Sequence, residues 1–110
     1  MTERIKRPAE TTRLFQAVLA LKNEEECAAF FADLCTMKEL ADMSQRLQAA
    51  EMLLEGKTYE QIVKNAEIST ATISRINHCI QYGNGGYRTV LGRLIDQFTF
   101  THRIIDFHVQ

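Results

Sequence analysis

The stretch that decides the fold runs from residue 58 to 82: Thr58-Tyr59-Glu60-Gln61-Ile62-Val63-Lys64-Asn65-Ala66-Glu67-Ile68-Ser69-Thr70-Ala71-Thr72-Ile73-Ser74-Arg75-Ile76-Asn77-His78-Cys79-Ile80-Gln81-Tyr82. Thr58 and Gln61 have the spacing of a capping box, in which each side chain takes a backbone N–H that the helix start leaves unpaired. The helix they open is short, with Ile62 and Val63 as its apolar residues. Ser69 has the chemistry of a second N-cap. Behind it Ile73, Ile76 and Ile80 recur at three- and four-residue intervals, the mark of one buried helix face. Two helices of about eight and fourteen residues, joined by the turn Ala66-Glu67-Ile68, have the size of a helix-turn-helix. Ile62, Ala66, Ile68, Ile73 and Ile76 are expected to hold them together.

With the isoleucines inward, a turn of about 100° per residue brings Thr70, Ala71, Ser74, Arg75 and His78 to the outer face. Small, polar and cationic groups can enter a major groove without steric penalty. Thr70 and Ala71 are short enough to approach base edges or a thymine methyl. Ser74 donates or accepts, and Arg75 can fork onto guanine or clamp a phosphate. The helix start offers free N–H groups to a phosphate. The candidate DNA-binding set is therefore Ser69, Thr70, Ala71, Thr72, Ser74, Arg75 and His78, with Lys57 and Lys64 as backbone anchors. Glu67 sits near the place where the turn goes left-handed, a conformation that costs a non-glycine residue on the order of 1 kcal/mol.

Upstream, Pro8 stands at an N1-like position before a helix with Leu14, Phe15, Val18, Leu19 and Leu21 as an apolar stripe. Asn23 before Glu24, Glu25 and Glu26 reads as an N-cap with an acidic first turn, opening a helix that carries Cys27, Phe30, Phe31 and Leu34. Thr36-Met37-Lys38-Glu39 is another capping box. The helix behind it places Leu40, Met43, Leu47, Ala50 and Leu54 in a coiled-coil-like seam, with Gly56 to end it. Downstream, Gly83-Asn84-Gly85-Gly86 stops the second helix of the motif, and Tyr82 and Tyr87 are expected to pack that turn. Residues 87–97 can form one more helix with Val90, Leu91, Leu94 and Ile95 on a face. Residues 98–110 fit a strand, a continued helix or a tail.

The net charge of −1 over 110 residues is unusual for a DNA binder, and its distribution matters more than its sum. Arg4, Lys6, Arg7 and Arg13 outweigh Glu3 and Glu10 at the N-terminus, whereas residues 22–55 hold three bases against eight acids. An acidic middle can face away from a polyanion while both ends face it. A chain this weakly basic neutralises few phosphates, so its affinity per subunit is modest and dimerisation is expected. No apolar run is long enough for a transmembrane helix, and no apolar segment follows the basic N-terminus as in a signal peptide, so the expected location is the cytoplasm. Cys27, Cys35 and Cys79 lack metal-ligand spacing and read as reduced, partly buried thiols. His78, His102 and His108 read as surface or tail residues. No metal, cofactor or catalytic motif is recognisable, and the chain reads as a non-enzyme.

Leu34-Cys35-Thr36, Arg46, Leu53-Leu54-Glu55-Gly56 and Ser69-Thr70-Ala71-Thr72-Ile73-Ser74-Arg75 together resemble the Trp repressor superfamily. Gly56-Lys57-Thr58-Tyr59 and Tyr82-Gly83…Gly86-Tyr87 place the resemblance in its Trp-repressor-related branch, the YerC/YecD type. The resemblance covers roughly residues 10–96. It implies an all-α, multi-helix fold with a helix-turn-helix, an intertwined homodimer, double-stranded DNA as partner and repression of transcription. Ser69–Tyr82 would be the recognition helix. In the family the corepressor indole lies between two arginines, which Arg46 and Arg75 match, with a threonine near the position of Thr36. These three form a possible effector pocket; Arg46 also fits a structural ion pair. The glycine after the second arginine is Ile76 here, and a serine further on is Cys79. A branched side chain where the ligand meets bare backbone fills the pocket, so tryptophan is not expected to bind, and any other effector is unidentified.

The expected layout is a basic arm over residues 1–9, a Trp-repressor-like DNA-binding domain over 10–97 with its helix-turn-helix at about 58–82, and a C-terminal extension over 98–110. The alternative is a helical dimeric protein-interaction module without sequence-specific DNA binding, since a fold alone does not define function.

Overall fold

A computed structural model describes residues 7–95. The arm residues Arg4 and Lys6, the end of the helix expected to reach Gln97, the extension 98–110, and His102 and His108 lie outside the described residues. The architecture is all-α, with no strand among the described residues. The helices are α1 (Ala9–Leu19), α2 (Glu24–Leu34), α3 (Met37–Leu54), α4 (Tyr59–Ala66), α5 (Thr70–Tyr82) and α6, described over 86–95.

The helix starts follow from local chemistry. Pro8 stands one residue earlier than expected, as the N-cap of α1; its missing N–H is no loss at a helix start. The Asn23 side chain accepts from the Glu26 amide at 2.8 Å. Thr36 and Glu39 close a reciprocal box: the Glu39 amide donates to Thr36 Oγ1 (3.1 Å) and the Thr36 amide to Glu39 Oε1 (2.9 Å). The Thr36 amide, and after it the Thr36 hydroxyl, favour the carboxylate and hold the Glu39 carboxyl below its ordinary pKa. Thr58 and Gln61 repeat the box at 3.2 and 2.9 Å. The expected stop at Gly56 is made by a left-handed glycine (φ 84°), with the Gly56 amide on the Leu53 carbonyl and the Lys57 amide on the Met52 carbonyl. That pair of bonds is a Schellman closure, and it satisfies two carbonyls the helix end leaves free.

Two compact units divide within α3, one up to Met43 and one from Ser44. In the first, α1 and α2 contain no buried residue. Phe30 and Phe31 meet edge to face at 5.5 Å, the Arg7 guanidinium lies over the Phe15 ring at 5.4 Å, and Leu14, Phe15, Leu19, Leu34 and Met37 are exposed. The second unit holds the core: Ala49, Ala50, Ile62, Ala66, Ile73, Ile76, Ile80 and Leu91 are buried, with Leu53, Leu54, Tyr59, Ile68 and Tyr87 packed against them.

Several expected apolar faces are therefore open in the single chain. Of the α3 seam, Ala50 is fully buried, but Leu40 and Leu47 are 36% and 39% exposed. Of the α6 face only Leu91 is buried; Val90, Leu94 and Ile95 are exposed. Cys79 is exposed rather than partly buried. Tyr82 does not pack the glycine turn: it is 78% exposed. Gly83 ends α5 for a steric reason, because a Cβ there would collide with the Cys79 carbonyl. Arg88 then reaches back to the Ile80 carbonyl (Nε donating, 3.4 Å), placing a cation on the negative end of α5.

Candidate nucleic-acid interface

Helix α4 packs directly against α5. The turn between them is Glu67-Ile68-Ser69, one residue later than expected, because Ala66 completes α4 and is buried. Glu67 is in the left-handed conformation (φ 57°, ψ 39°), as its position suggested. It is the one non-glycine residue with positive φ among the described residues. Ile68 packs on the core and thereby anchors the turn from within.

Ser69 caps α5, its Oγ accepting from the Thr72 amide at 3.2 Å. With Ile73, Ile76 and Ile80 buried, the opposite arc of α5 is exposed: Thr70, Ala71, Ser74, Arg75 and His78 all face solvent, as does Ser69 at the tip. Thr72 differs from the rest of the expected set. It is half-buried on the flank of the helix, and its hydroxyl joins Ser69 Oγ (3.0 Å) and Arg75 Nη2 (3.3 Å). Lys57 precedes the cap of α4 and Lys64 occupies its last turn; both are exposed.

Periodicity also places Tyr82 on this arc, four residues after His78. The two rings lie 5.0 Å apart at 50°. Its helical spacing from His78, and not its place beside Gly83, marks where Tyr82 lies.

The possible effector residues are placed as follows. The Thr36 hydroxyl accepts from the Glu39 amide at the start of α3, in the first unit. Arg46 is exposed on α3 in the second unit, and no ion pair to it forms among the described residues. Arg75 lies in α5, and Ile76 beside it is 4% exposed, its side chain in the core. An apolar cleft of about 440 Å³ opens in the second unit, lined by Leu47, Cys79, Gly83, Tyr87 and Val90 among others. No group of three or more His, Cys, Asp or Glu able to hold a metal occurs among the described residues. No described helix is long and apolar enough to cross a membrane.

Comparison with known proteins agrees with this architecture. The family description of the Trp repressor protein matches residues 9–95. The uncharacterised protein YerC of Bacillus subtilis is 48% identical over 88 residues, covering 80% of this chain and 85% of its own. A TrpR-like protein from Eubacterium eligens superposes with a TM-score of 0.78 at 45% identity, over 80% of this chain and 91% of that one. A candidate Trp repressor from Staphylococcus aureus gives 0.77 at 48% identity, over 80% and 88%.

Proposed function

The chain belongs to the Trp repressor family, and from that premise we propose that it is a dimeric, sequence-specific DNA-binding repressor of transcription that does not take tryptophan as its signal. The family is regulatory and non-enzymatic. The observation that carries the finer reading is the exposed arc of α5. Side chains there are either too short to obstruct a groove (Thr70, Ala71, Ser74) or able to donate to guanine or phosphate (Arg75). Lys64 in the last turn of α4 and Lys57 just ahead of its cap are the phosphate contacts of this reading.

Dimerisation is supported by the first unit. Amphipathic helices gain their stability from packing the apolar face, yet α1 and α2 bury nothing within one chain. A second copy laid against Leu14, Phe15, Leu19 and Leu34, and against the exposed Leu47, Val90 and Leu94, supplies the missing cover. It also doubles the phosphate contacts of a weakly basic chain. Half-sites would then be spaced by about one DNA turn, on the order of 10 bp.

Insensitivity to tryptophan is supported by Ile76. The resemblance puts a glycine against the family's indole at this position, and here the position holds a buried, branched isoleucine in place of bare backbone. Isothermal titration is expected to give no micromolar binding of tryptophan.

Selection from a random DNA library tests the central reading. Wild-type protein is expected to enrich a two-fold symmetric sequence, with sedimentation giving a dimer. Arg75→Ala is expected to lose about 1–3 kcal/mol of preference for it. If no sequence is enriched and partner binding survives both Arg75→Ala and Thr70→Ala, the protein is an interaction module instead.

A further inference from the structure

We infer that Thr72 is not a DNA contact but the positioning residue of Arg75, holding the guanidinium at the tip of α5 in readiness for a base. The inference rests on the DNA-reading role proposed above and adds to it a device for specificity.

Helical side chains lean toward the N-terminus of their helix. Arg75 therefore extends back over the preceding turn, where Thr72 lies. Its Nη2 donates to Thr72 Oγ1 at 3.3 Å. Arginine has only donors, so the threonine oxygen must accept this bond. The threonine proton is then free to go elsewhere, and Ser69 Oγ lies 3.0 Å away. Ser69 Oγ already accepts from the Thr72 amide. Each of the two oxygens accepts one N–H bond and keeps a lone pair, so either hydroxyl can donate to the other. Arg75 donates to Thr72, and the Thr72 hydroxyl is in turn hydrogen-bonded to Ser69. The N-cap of the helix and the guanidinium become one hydrogen-bonded unit. Thr72 is also half-buried, while the groove-facing residues around it are exposed, so it is badly placed to touch DNA and well placed to hold a neighbour that does.

The gain is preorganisation. An untethered arginine is rotamer-rich and must be ordered when it binds. A tethered one has part of that ordering done beforehand, and forks in a fixed plane, which favours the correct base over the wrong one.

The test uses the full-length protein and the sequence that it enriches from a random library. Thr72→Val keeps the branched shape and the Ser69 cap but removes the hydroxyl. It is expected to lower the ratio of specific to non-specific binding by roughly 3–10-fold, a part of the 5–150-fold that a good arginine–guanine contact supplies. Its thermal midpoint and the slope of affinity against salt should stay unchanged, and the loss should map to the base position that Arg75→Ala relaxes. Thr72→Ser should restore specificity. In the Arg75→Ala background Thr72→Val should have no further effect, which a double-mutant cycle reads directly. Without DNA, the Arg75 side-chain nitrogen resonances should show slowed rotation in the wild type and free rotation in Thr72→Val. Equal loss on specific and non-specific DNA, additive effects with Arg75→Ala, or unchanged Arg75 resonances would each overturn the inference. If the variant unfolds, Thr72→Ala with Arg75→Ala completes the same cycle, and lost specificity in Thr72→Ser would count against the tether. A wild type that enriches no sequence defeats the DNA-reading role, and the inference with it.

Discussion

Glu67→Gly should stabilise the protein. Glu67 closes α4 at φ 57° and ψ 39°, where a Cβ crowds the following carbonyl at a cost of about 1–2 kcal/mol. Glycine removes that cost but makes the unfolded chain more flexible, which takes back about 0.4–1 kcal/mol. The net expectation is a gain of roughly 0.5–1 kcal/mol, or about 2–6 °C in thermal midpoint for a chain of this size. Urea unfolding at fixed protein concentration reads it as a higher midpoint with an unchanged slope. Glu67→Ala is the decisive control. It removes the same carboxylate but keeps the Cβ, so it should leave the strain in place and gain nothing. If alanine stabilises as much as glycine, the relief comes from the lost charge and the backbone reasoning is wrong. Both variants remove an acid close to α5, so both should strengthen non-specific DNA binding in the proposed role; only the stability effect separates them.

Thr58→Ala breaks the capping box of α4 and should cost about 1 kcal/mol in chemical unfolding, with Thr58→Ser losing much less. Gly83→Ala puts a Cβ into the Cys79 carbonyl and should cost about 1–3 kcal/mol, with the loss of hydrogen-exchange protection concentrated at the end of α5. The Glu39 carboxyl is held below its ordinary value of 4.5 by its bonds to Thr36. Its stabilising contribution is therefore complete above that value and is lost as the pH falls through the lowered one. Carbon-13 titration should show Glu39 titrating below 4.5 in the wild type and moved only part of the way back up in Thr36→Ala, which removes the hydroxyl but keeps the residue-36 amide.

Helix boundaries were readable because their causes are local. Asn23, Thr36, Thr58 and Ser69 each bond an amide three residues on, so side-chain type and spacing reveal them together. The buried face of α5 was readable for the same reason: Ile73, Ile76 and Ile80 name it by period alone. Less legible was which apolar faces one chain can cover by itself. Leu47, Val90 and Leu94 have the period of a core face and are exposed, because period reports that a face is to be covered and not by which chain. Ala49, buried beside Ala50, falls outside the 40-43-47-50-54 spacing, so the seam does not mark it. At the interface, the outward arc of α5 followed from the inward one, but the particular role of Thr72 did not. It depends on the rotamer of Arg75, and spacing of three residues permits such a bond without requiring it.

Helices α1 and α2 bury no residue in their own chain, and this has a genetic consequence if a second copy covers them as proposed. Subunits that complete one another's packing are assembled before they are sorted by quality. A chain carrying Arg75→Ala keeps every apolar residue of the pairing surface and still enters pairs. Where equal amounts of intact and altered chains are made, only about a quarter of pairs contain two sound reading helices. Damage to α5 should therefore behave as dominant interference, while damage to the apolar face of α1, which prevents pairing, should behave as a simple recessive loss.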